Sequence, residues 1–147
     1  MFSLAVAQNE AKAQYSLGVM YYLGKGVKQD YIKAFNYFQL AAEQGEITSQ
    51  YILGMMFYQD EGIEQSYDKA MHYYYLATEQ RNADAQYQLG LIYHNGIDTA
   101  QDFAQAIKYY QLAADQGDSS TQYNLGNMYE NGNGNGVVQD YAKAVEY

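Results

Sequence analysis

The chain has 147 residues, about the size of one domain, and its 17 acidic and 8 basic side chains give a formal net charge of −9. An acidic balance without a cluster of Lys or Arg argues against nucleic-acid binding and against docking on an anionic membrane. Cysteine is absent, which excludes disulfides, thiol catalysis and thiolate metal sites. The absence of proline suits an uninterrupted helical chain, and the 19 tyrosines suit a thin, two-layer fold.

The sequence shows no sign of a membrane or secretory segment. No apolar run approaches the roughly 18 residues needed to span a bilayer, and no secretory signal is visible near Met1. We therefore expect no membrane insertion and favour a cytoplasmic location, with export as the alternative if a native N-terminus is missing.

The first nine residues are predicted to be the end of a second helix from a preceding repeat. The segment 2–8 aligns with residues 110–116, which lie 108 residues later. Solenoids normally close with a polar capping repeat, and neither end of this sequence has one. We therefore expect a fragment that is truncated at both ends.

A first block of residues recurs every 36 positions. In each copy of the dipeptide Leu-Gly, Gln and Tyr lie three and two residues before the Leu, and an aromatic side chain lies four residues after it. The leucine and this aromatic residue are four positions apart, so they share one face of a helix. Four first helices are predicted, centred near Leu17, Leu53, Leu89 and Leu125.

A second block follows each first block. It opens with a side chain suited to cap a helix N-terminus, continues with an alanine column and then carries an aromatic pair. The predicted caps are Asp30, Ser66, Asp102 and Asp140, and the alanine column is Ala34, Ala70, Ala106 and Ala144. Gly45 and Gly117 suit the left-handed residue that ends a helix, whereas Arg81 in the same column predicts a different helix stop.

The glycine of each Leu-Gly dipeptide lies inside a helix, where glycine costs about 1 kcal/mol relative to alanine. Its recurrence indicates a packing role. We expect the paired helix to approach it closely through the Ala34 column.

These columns resemble the Sel-one-like repeat (SLR), a relative of the tetratricopeptide repeat. The pattern A-x-x-x-L-G-x-x-Y-x-x-G-x-G-V-x-x-D-Y-x-K-A-x-x-Y-Y-x-x-A-A-x-x-G stands here as Ala13, Leu17-Gly18, Tyr21, Gly24, Gly26-Val27, Asp30-Tyr31, Lys33-Ala34, Tyr37-Phe38, Ala41-Ala42 and Gly45. It covers nearly the whole chain and recurs four times. Asp60 and Asp98 replace turn glycines, so those two turns are predicted to differ in shape.

The resemblance implies an all-α fold, a right-handed α/α superhelix or solenoid with a concave face lined by the first helices. Residues 1–147 are expected to form a single domain. Its parts would be the end of a preceding second helix (1–9), three full repeats (10–45, 46–81 and 82–117) and a partial repeat (118–147). Family members serve mainly as adaptors, which implies a protein or peptide partner.

Few residues suggest chemistry. The two histidines, His72 and His94, lie in different repeats and lack a second metal ligand at helical spacing. His72 is predicted to lie on the surface of a second helix. The glycines at 132–136 lack the strand-before, helix-after setting of a phosphate-binding loop and indicate an expanded turn. We therefore predict no catalytic residues, no metal and no cofactor.

Three columns of the first helices form the candidate binding face, because they lie away from the leucine stripe on a helical projection. The Tyr15 column is Tyr15, Tyr51, Tyr87 and Tyr123; the Val19 column is Val19, Met55, Leu91 and Asn127; the Tyr22 column is Tyr22, Tyr58, His94 and Glu130. Packing between repeats explains the invariant Tyr15 column equally well. The other two columns change from apolar to polar along the chain, which favours a ligand groove with Tyr22 and Tyr58 exposed.

The last residues offer an apolar face to a helix that the sequence does not contain. Tyr141, Ala144, Val145 and Tyr147 form this face. We expect either high mobility after Gly136 or end-to-end self-association.

Two classes of function stay open at this point. The first is a non-enzymatic scaffold or adaptor that binds a peptide or protein segment on its concave face. The second is a regulatory or enzymatic relative that binds a small ligand in the same groove. The absence of a convergent acid–base pair near His94 favours the first class.

Overall fold

The structure is a computed structural model that describes the backbone of residues 2–131 and the side chains of residues 8–130. Seven helices and no strand occupy residues 2–131: α1 (Phe2–Leu23), α2 (Tyr31–Glu43), α3 (Ile47–Gln59), α4 (Tyr67–Glu79), α5 (Ala83–Asn95), α6 (Phe103–Asp115) and α7 (Ser119–Asn131). The prediction of an all-helical chain is confirmed, and α3, α5 and α7 centre on the predicted leucines. Within residues 2–131, no helix is both long enough and apolar enough to cross a membrane.

The helices form two compact units. Helices α1–α4 lie in the unit Met1–Gln80, and α5–α7 lie in the unit Arg81–Tyr147. In both units a first helix pairs antiparallel with the second helix of the same repeat, and that second helix also packs on the next first helix.

The predicted caps begin the second helices. The side chain of Asp30 accepts from the amides of Ile32 and Lys33, and Ser66 and Asp102 act in the same way at α4 and α6. The first helices α3 and α5 also have caps, which the sequence pattern did not single out. These are Glu46 and Asn82, whose side chains accept from amides in the first turn. The fourth predicted cap, Asp140, lies outside the described residues.

Residues other than glycine take the left-handed conformation at three turns. Arg81 has a φ of 66°, close to the 84° of Gly45, so the prediction of a different helix stop at Arg81 is wrong. Asp60 and Asp98 have φ values of 57° and 52°. They therefore keep the left-handed conformation that glycine has at the equivalent positions of other repeats. Aspartate tolerates this region because its short polar side chain can bond locally, whereas Arg81 takes the conformation that glycine has at the equivalent positions 45 and 117.

The start of the chain differs from its prediction. Phe2–Leu23 form one helix, α1, with no break near residue 9, where a second helix was expected to end. The corresponding position in later repeats is the left-handed residue Gly45, Arg81 or Gly117, which turns the chain between helices. The backbone at residue 9 is therefore helical, where the later repeats have a turn.

The helical glycines accommodate aromatic rings of the second helices. A Cβ atom added to Gly18 would lie 2.7 Å from the Phe38 ring, and one added to Gly54 would lie 2.5 Å from the Tyr74 ring. The packing role is confirmed, but the expectation that the Ala34 column meets the glycine is wrong. The aromatic four residues later makes that contact, because an aromatic ring fills the space that the absent Cβ leaves open.

The leucine stripe is buried in three repeats and exposed in the first. Leu53, Leu89 and Leu125 are 0% exposed, whereas Leu17 is 37% exposed. In the first unit, Leu53 lies in one cluster with Ala34, Phe38 and Met56, where α2 covers α3. The expectation that Leu17 is buried is wrong, since burial of this column depends on a second helix that covers the face.

The residues of the predicted terminal face, Tyr141, Ala144, Val145 and Tyr147, lie outside the described residues. The same holds for the expanded turn at 132–136 and for the mobility expected after it.

Replacing Gly54 with Ala should destabilise the protein. The substitution gains about 1 kcal/mol of helix propensity, but the Tyr74 ring is 1% exposed and has no room to move away from the new methyl group. Overpacking of this kind costs about 1–3 kcal/mol and should exceed the gain. Urea denaturation followed by circular dichroism measures the change. Asn36→Ala, at an exposed position of α2, is the control for propensity alone, and a Gly54→Ala protein as stable as that control would contradict the packing role.

Replacing Leu53 with Ala should cost about 2–5 kcal/mol of unfolding free energy, as for a fully buried leucine. Replacing Leu17 with Ala should cost less than about half as much, because more than a third of its side chain already contacts solvent. The two substitutions are made at equivalent positions of two repeats. The difference between their losses of unfolding free energy, measured by urea denaturation, therefore reports how far each leucine is covered by a neighbouring helix. Equal losses would show that something covers Leu17 in solution.

Candidate functional site

The Tyr15 column packs within its own repeat. The rings of Tyr15 and Phe38 have centroids 6.1 Å apart, and the pairs Tyr51–Tyr74 and Tyr87–Tyr110 repeat this arrangement at 6.0 and 5.8 Å. These are the same second-helix rings that lie over the helical glycines. These three first-helix tyrosines therefore contact the second helix of their own hairpin, and the Tyr87 hydroxyl also accepts a bond from Asn124 of the next repeat. Tyr123, whose ring is 69% exposed, is the member without a described second helix beside it.

The Tyr22 column is anchored on the first aromatic of each second helix. Tyr22 packs edge-on against Tyr31 with centroids 5.3 Å apart, and Tyr58 packs in the same way against Tyr67 at 5.4 Å. Both side chains are half-buried, so the expectation that Tyr22 and Tyr58 are exposed is wrong. The second-helix ring stands directly after the capping residue, which places it against the end of the first helix.

Tyr22 also ties two repeats of the first unit together. Its hydroxyl donates to the Glu61 carboxylate over 2.6 Å, from α1 to the turn between α3 and α4. Burial of the phenol, with the hydrogen bond and the negative charge of Glu61, raises the pKa of Tyr22 to about 12. Burial also raises the pKa of Tyr58 above its usual value. Both phenols are therefore neutral donors near pH 7.

His94 holds the third place in this column, in the second unit. Its ring packs against Phe103 and Tyr110, and its Nδ1 lies 3.2 Å from the Tyr110 hydroxyl. Burial lowers the pKa of His94 below its usual value, so the imidazole is neutral at pH 7. His72, by contrast, is exposed on α4, as predicted.

The Val19 column lies beside these rings. Val19 packs against the cluster around Phe38 in the first unit, and Leu91 packs against the cluster around Tyr110 in the second. Met55 and Asn127 are half-buried, and Glu130 is exposed. Val19 and Leu91 therefore lie next to a buried aromatic ring of a second helix.

Glutamines support this face and were not assigned a role from the sequence. Gln29, Gln65 and Gln101 donate their side-chain amides to the carbonyls of Tyr22, Tyr58 and His94 over 2.7–2.8 Å. They thereby satisfy carbonyls at the ends of the first helices, which have no partner inside the helix. The signal was present in the sequence, because these glutamines also recur every 36 residues.

A second set of glutamines joins the two helices of each hairpin at the other end. Gln44 donates to Gln14 over 2.7 Å, and the pairs Gln80–Gln50 and Gln116–Gln86 repeat the bond at 2.8 Å. The members of each pair are 30 residues apart, so the pairing becomes visible only when the helices are placed side by side. These bonds and those of the Gln29 column hold both ends of the first helices.

Replacing Tyr22 with Phe should lower stability by about 1 kcal/mol at pH 8, because the Glu61 carboxylate loses its donor. The folded-state pKa is raised, so the stabilisation is complete below the usual tyrosine pKa of 10 and is lost as the pH rises towards 12. The difference in unfolding free energy between the two proteins should therefore shrink from pH 8 to pH 11. Urea denaturation at both pH values measures it, with Tyr123→Phe as a control for hydroxyl loss at an exposed ring. A difference that grows with pH would contradict the assigned bond.

Comparison with known proteins identifies the repeat. The Sel1 repeat model matches residues 11–46, 47–82, 83–118 and 119–147, with boundaries one residue later than the sequence pattern suggested. A protective antigen present in uropathogenic Escherichia coli strains, whose crystal structure displays an SLR fold, is 36% identical with a TM-score of 0.88 over 97% of this chain. A Sel1 repeat protein from Oxalobacter formigenes is 32% identical with a TM-score of 0.86 over 95% of this chain.

The chain spans 31% of the length of the first of these proteins and 56% of the second. An immunity protein from Pseudomonas aeruginosa, 21% identical with a TM-score of 0.52, covers 97% of this chain and 65% of its own length and shares the fold alone. A search of curated proteins gave no significant match. The four repeat matches and the two similar structures show that the chain belongs to the Sel1 repeat family, all-α helical repeat solenoids that generally act as non-enzymatic scaffolds for protein interactions.

Proposed function

We propose that this chain is a non-enzymatic scaffold that binds a peptide or protein segment on the face formed by its first helices. The face consists of the Tyr15, Val19 and Tyr22 columns as defined above. The observation that carries the proposal is the half-burial of Tyr22, Tyr58 and His94, whose rings each pack against a second-helix ring and stay partly accessible.

Fixed aromatic side chains are effective binding anchors. Tyr22 is held by Tyr31, by Phe38 and by its bond to Glu61, so little rotamer freedom is left to lose when a partner binds. Tyrosine and tryptophan are enriched among the residues that dominate protein interfaces because they combine a large ring with a polar group. Tyr22 and Tyr58 suit a contact role because their rings are held rigidly, and not because they are freely exposed.

The neighbouring Val19 column supplies the chemical difference between the units. In the first unit Val19 and Met55 are apolar, whereas in the second unit Asn127 follows Leu91. The column in the first unit therefore suits an apolar segment of a partner, whereas Asn127 gives the second unit a polar contact residue.

A small ligand is the alternative occupant. Ligand sites of this kind are usually enclosed, mainly apolar clefts. A recess of about 580 Å³ in the first unit is lined by mixed polar and apolar groups at the loops between repeats, among them Gln8, Ala11, Gln44 and Ile47. It lies apart from the three columns, so it does not favour a small-ligand site on the first-helix face.

Site-specific photo-crosslinking tests the proposal in intact cells or native lysate. A photoreactive residue at Val19 or at Met55 should form an adduct with the same partner protein, identified by mass spectrometry. The same residue at Ile32, a 61% exposed position on α2, should not capture that protein. Once the partner is identified, Met55→Gln should weaken its affinity at least about tenfold, equivalent to about 1.4 kcal/mol, and Ile32→Gln should leave it unchanged.

Two outcomes would reject the binding face. Equal adducts at Ile32 would place the partner elsewhere or show collision without binding. A small molecule that is retained in native mass spectrometry and released by Met55→Gln, with no protein adduct at Val19 or Met55, would support the small-ligand alternative.

A further inference from the structure

His94 occupies a position at which the first unit has tyrosines. Tyr22 and Tyr58 hold the equivalent places, and burial raises the pKa of both phenols. Both side chains therefore stay uncharged at pH 7 and in acid. An imidazole, by contrast, takes up a proton with a usual pKa of about 6.5. Of these three equivalent side chains, His94 alone can gain a positive charge in mildly acidic solution.

The imidazole of His94 lies against two aromatic rings of α6. Its centroid is 5.6 Å from that of Phe103 and 5.9 Å from that of Tyr110, and both contacts are edge-on. Its Nδ1 lies 3.2 Å from the Tyr110 hydroxyl, which is within hydrogen-bond distance. The side chain at this position therefore joins the end of α5 to α6 through two ring contacts and one polar contact.

Tyr110 connects the three described helices of the second unit. Its side chain is 0% exposed, and a Cβ atom added to Gly90 of α5 would collide with its ring. It also lies in one buried cluster with Leu125 and Met128 of α7. A change at the contact between His94 and Tyr110 therefore affects the packing of α5, α6 and α7 together.

The described residues place no compensating charge beside the imidazole. The titratable groups on the elements around it include Tyr87 of α5, Asp98 and Asp102 of the following turn, Lys108 and Tyr110 of α6, and Glu130 of α7. Burial is the cause that lowers the pKa of His94, and none of these carboxylates contributes to the shift. The Tyr110 phenol is neutral as well, since burial raises its pKa far above the usual value. A proton on His94 in the folded protein would therefore lack a negative partner, which makes the charged form unfavourable there.

Protonation of His94 is consequently coupled to the stability of the hairpin α5–α6. In the unfolded chain a histidine has a pKa of about 6.5, and burial in the folded protein lowers the pKa of His94 below this value. In mildly acidic solution the unfolded chain therefore binds the proton more readily than the folded chain does. The free energy of unfolding is then highest above about pH 6.5 and falls as the pH decreases through the lowered pKa of the folded state.

We propose that His94 makes the hairpin α5–α6 acid-sensitive: in mildly acidic solution its imidazole takes up a proton and moves away from Phe103 and Tyr110 into solvent, which loosens the second unit and leaves the first unit intact. The proton comes from water, and no covalent bond of the chain changes. This device acts on the folding of one hairpin, so it does not depend on whether a partner binds the first-helix face.

An NMR titration of the intact protein tests the protonation step. The chain has two histidines, so their imidazole resonances can be assigned with one variant of each. The titration midpoint of His94 in the folded protein should lie below the midpoint of the same residue in the urea-unfolded chain. The Tyr110 ring resonances should shift with the same midpoint, because the two side chains are in contact.

The variant His94→Tyr restores the residue that the first unit has at this position and takes up no proton in acid. Urea denaturation at pH 7.5 and pH 5.5 compares it with the original protein. Between these pH values the folding equilibrium constant of the original protein should fall by about threefold or more relative to that of the variant. Carboxylates titrate in both proteins, so their effect cancels in this comparison. The control His72→Tyr, which changes an exposed histidine of α4, should keep the full pH dependence.

Hydrogen exchange followed by mass spectrometry locates the effect in the chain. At pH 5.5 the amides of α5 and α6 should exchange faster in the original protein than in His94→Tyr. The amides of α3 and α4 should exchange at the same rate in both proteins. Both measurements are made at one pH, so the intrinsic exchange rates do not enter the comparison.

Three results would overturn the proposal. The first is a titration midpoint of His94 in the folded protein that equals or exceeds the midpoint in urea. The second is an equal pH dependence of stability in the original protein and in His94→Tyr. The third is a loss of protection in α3 and α4 as large as that in α5 and α6, which would show that acid acts on the whole chain. The NMR titration uses the original protein, so it decides the matter even where a variant folds poorly.

Discussion

Each hairpin whose two helices are described depends on the contact between a glycine in its first helix and an aromatic ring in its second. The ring of Phe38, Tyr74 or Tyr110 lies where the side chain of Gly18, Gly54 or Gly90 would be. This contact sets the distance between the two helices, and the same rings also pack against the Tyr15 column. One aromatic residue of each second helix therefore sets the spacing of the two helices and holds the Tyr15-column side chain of the same hairpin.

The polar contacts follow from that close approach. With the helices near each other, Gln44 reaches Gln14 at one end of the hairpin, and Gln29 reaches the carbonyl of Tyr22 at the other. Both bonds lie at exposed positions and add polar contacts at the two ends of the hairpin. The same glutamines recur in later repeats. The glycine–aromatic contact and the glutamine bonds of each hairpin are called its frame, and other surface residues can change without altering it.

This division between frame and surface bears on function. The frame holds Tyr22, Tyr58 and His94 at equivalent places against Tyr31, Tyr67 and Phe103. Their chemistry differs, since two are neutral phenols and one is an imidazole whose pKa is lowered by burial. A repeat protein can thus present different groups in a constant geometry. This property suits the recognition of an extended partner better than the assembly of one reactive centre.

The sequence by itself determined which residues are equivalent. A strict 36-residue period predicted the helices, the caps Asp30, Ser66 and Asp102, and the packing role of the helical glycines, because each follows from local spacing and capping chemistry. The three columns of the candidate face were also placed together by helical projection alone. Their function as a binding face stays a prediction.

The tertiary structure decided which surfaces those equivalent residues meet. It placed Phe38 rather than Ala34 opposite Gly18, half-buried Tyr22 against Tyr31, and left Leu17 exposed where Leu53 is covered. It also allowed Arg81 the left-handed conformation of Gly45. The spacing of residues within the 36-residue repeat shows on which side of a helix each residue lies. Burial and backbone strain depend on the neighbouring helix, and identical residues can differ when one copy has that neighbour and the other does not.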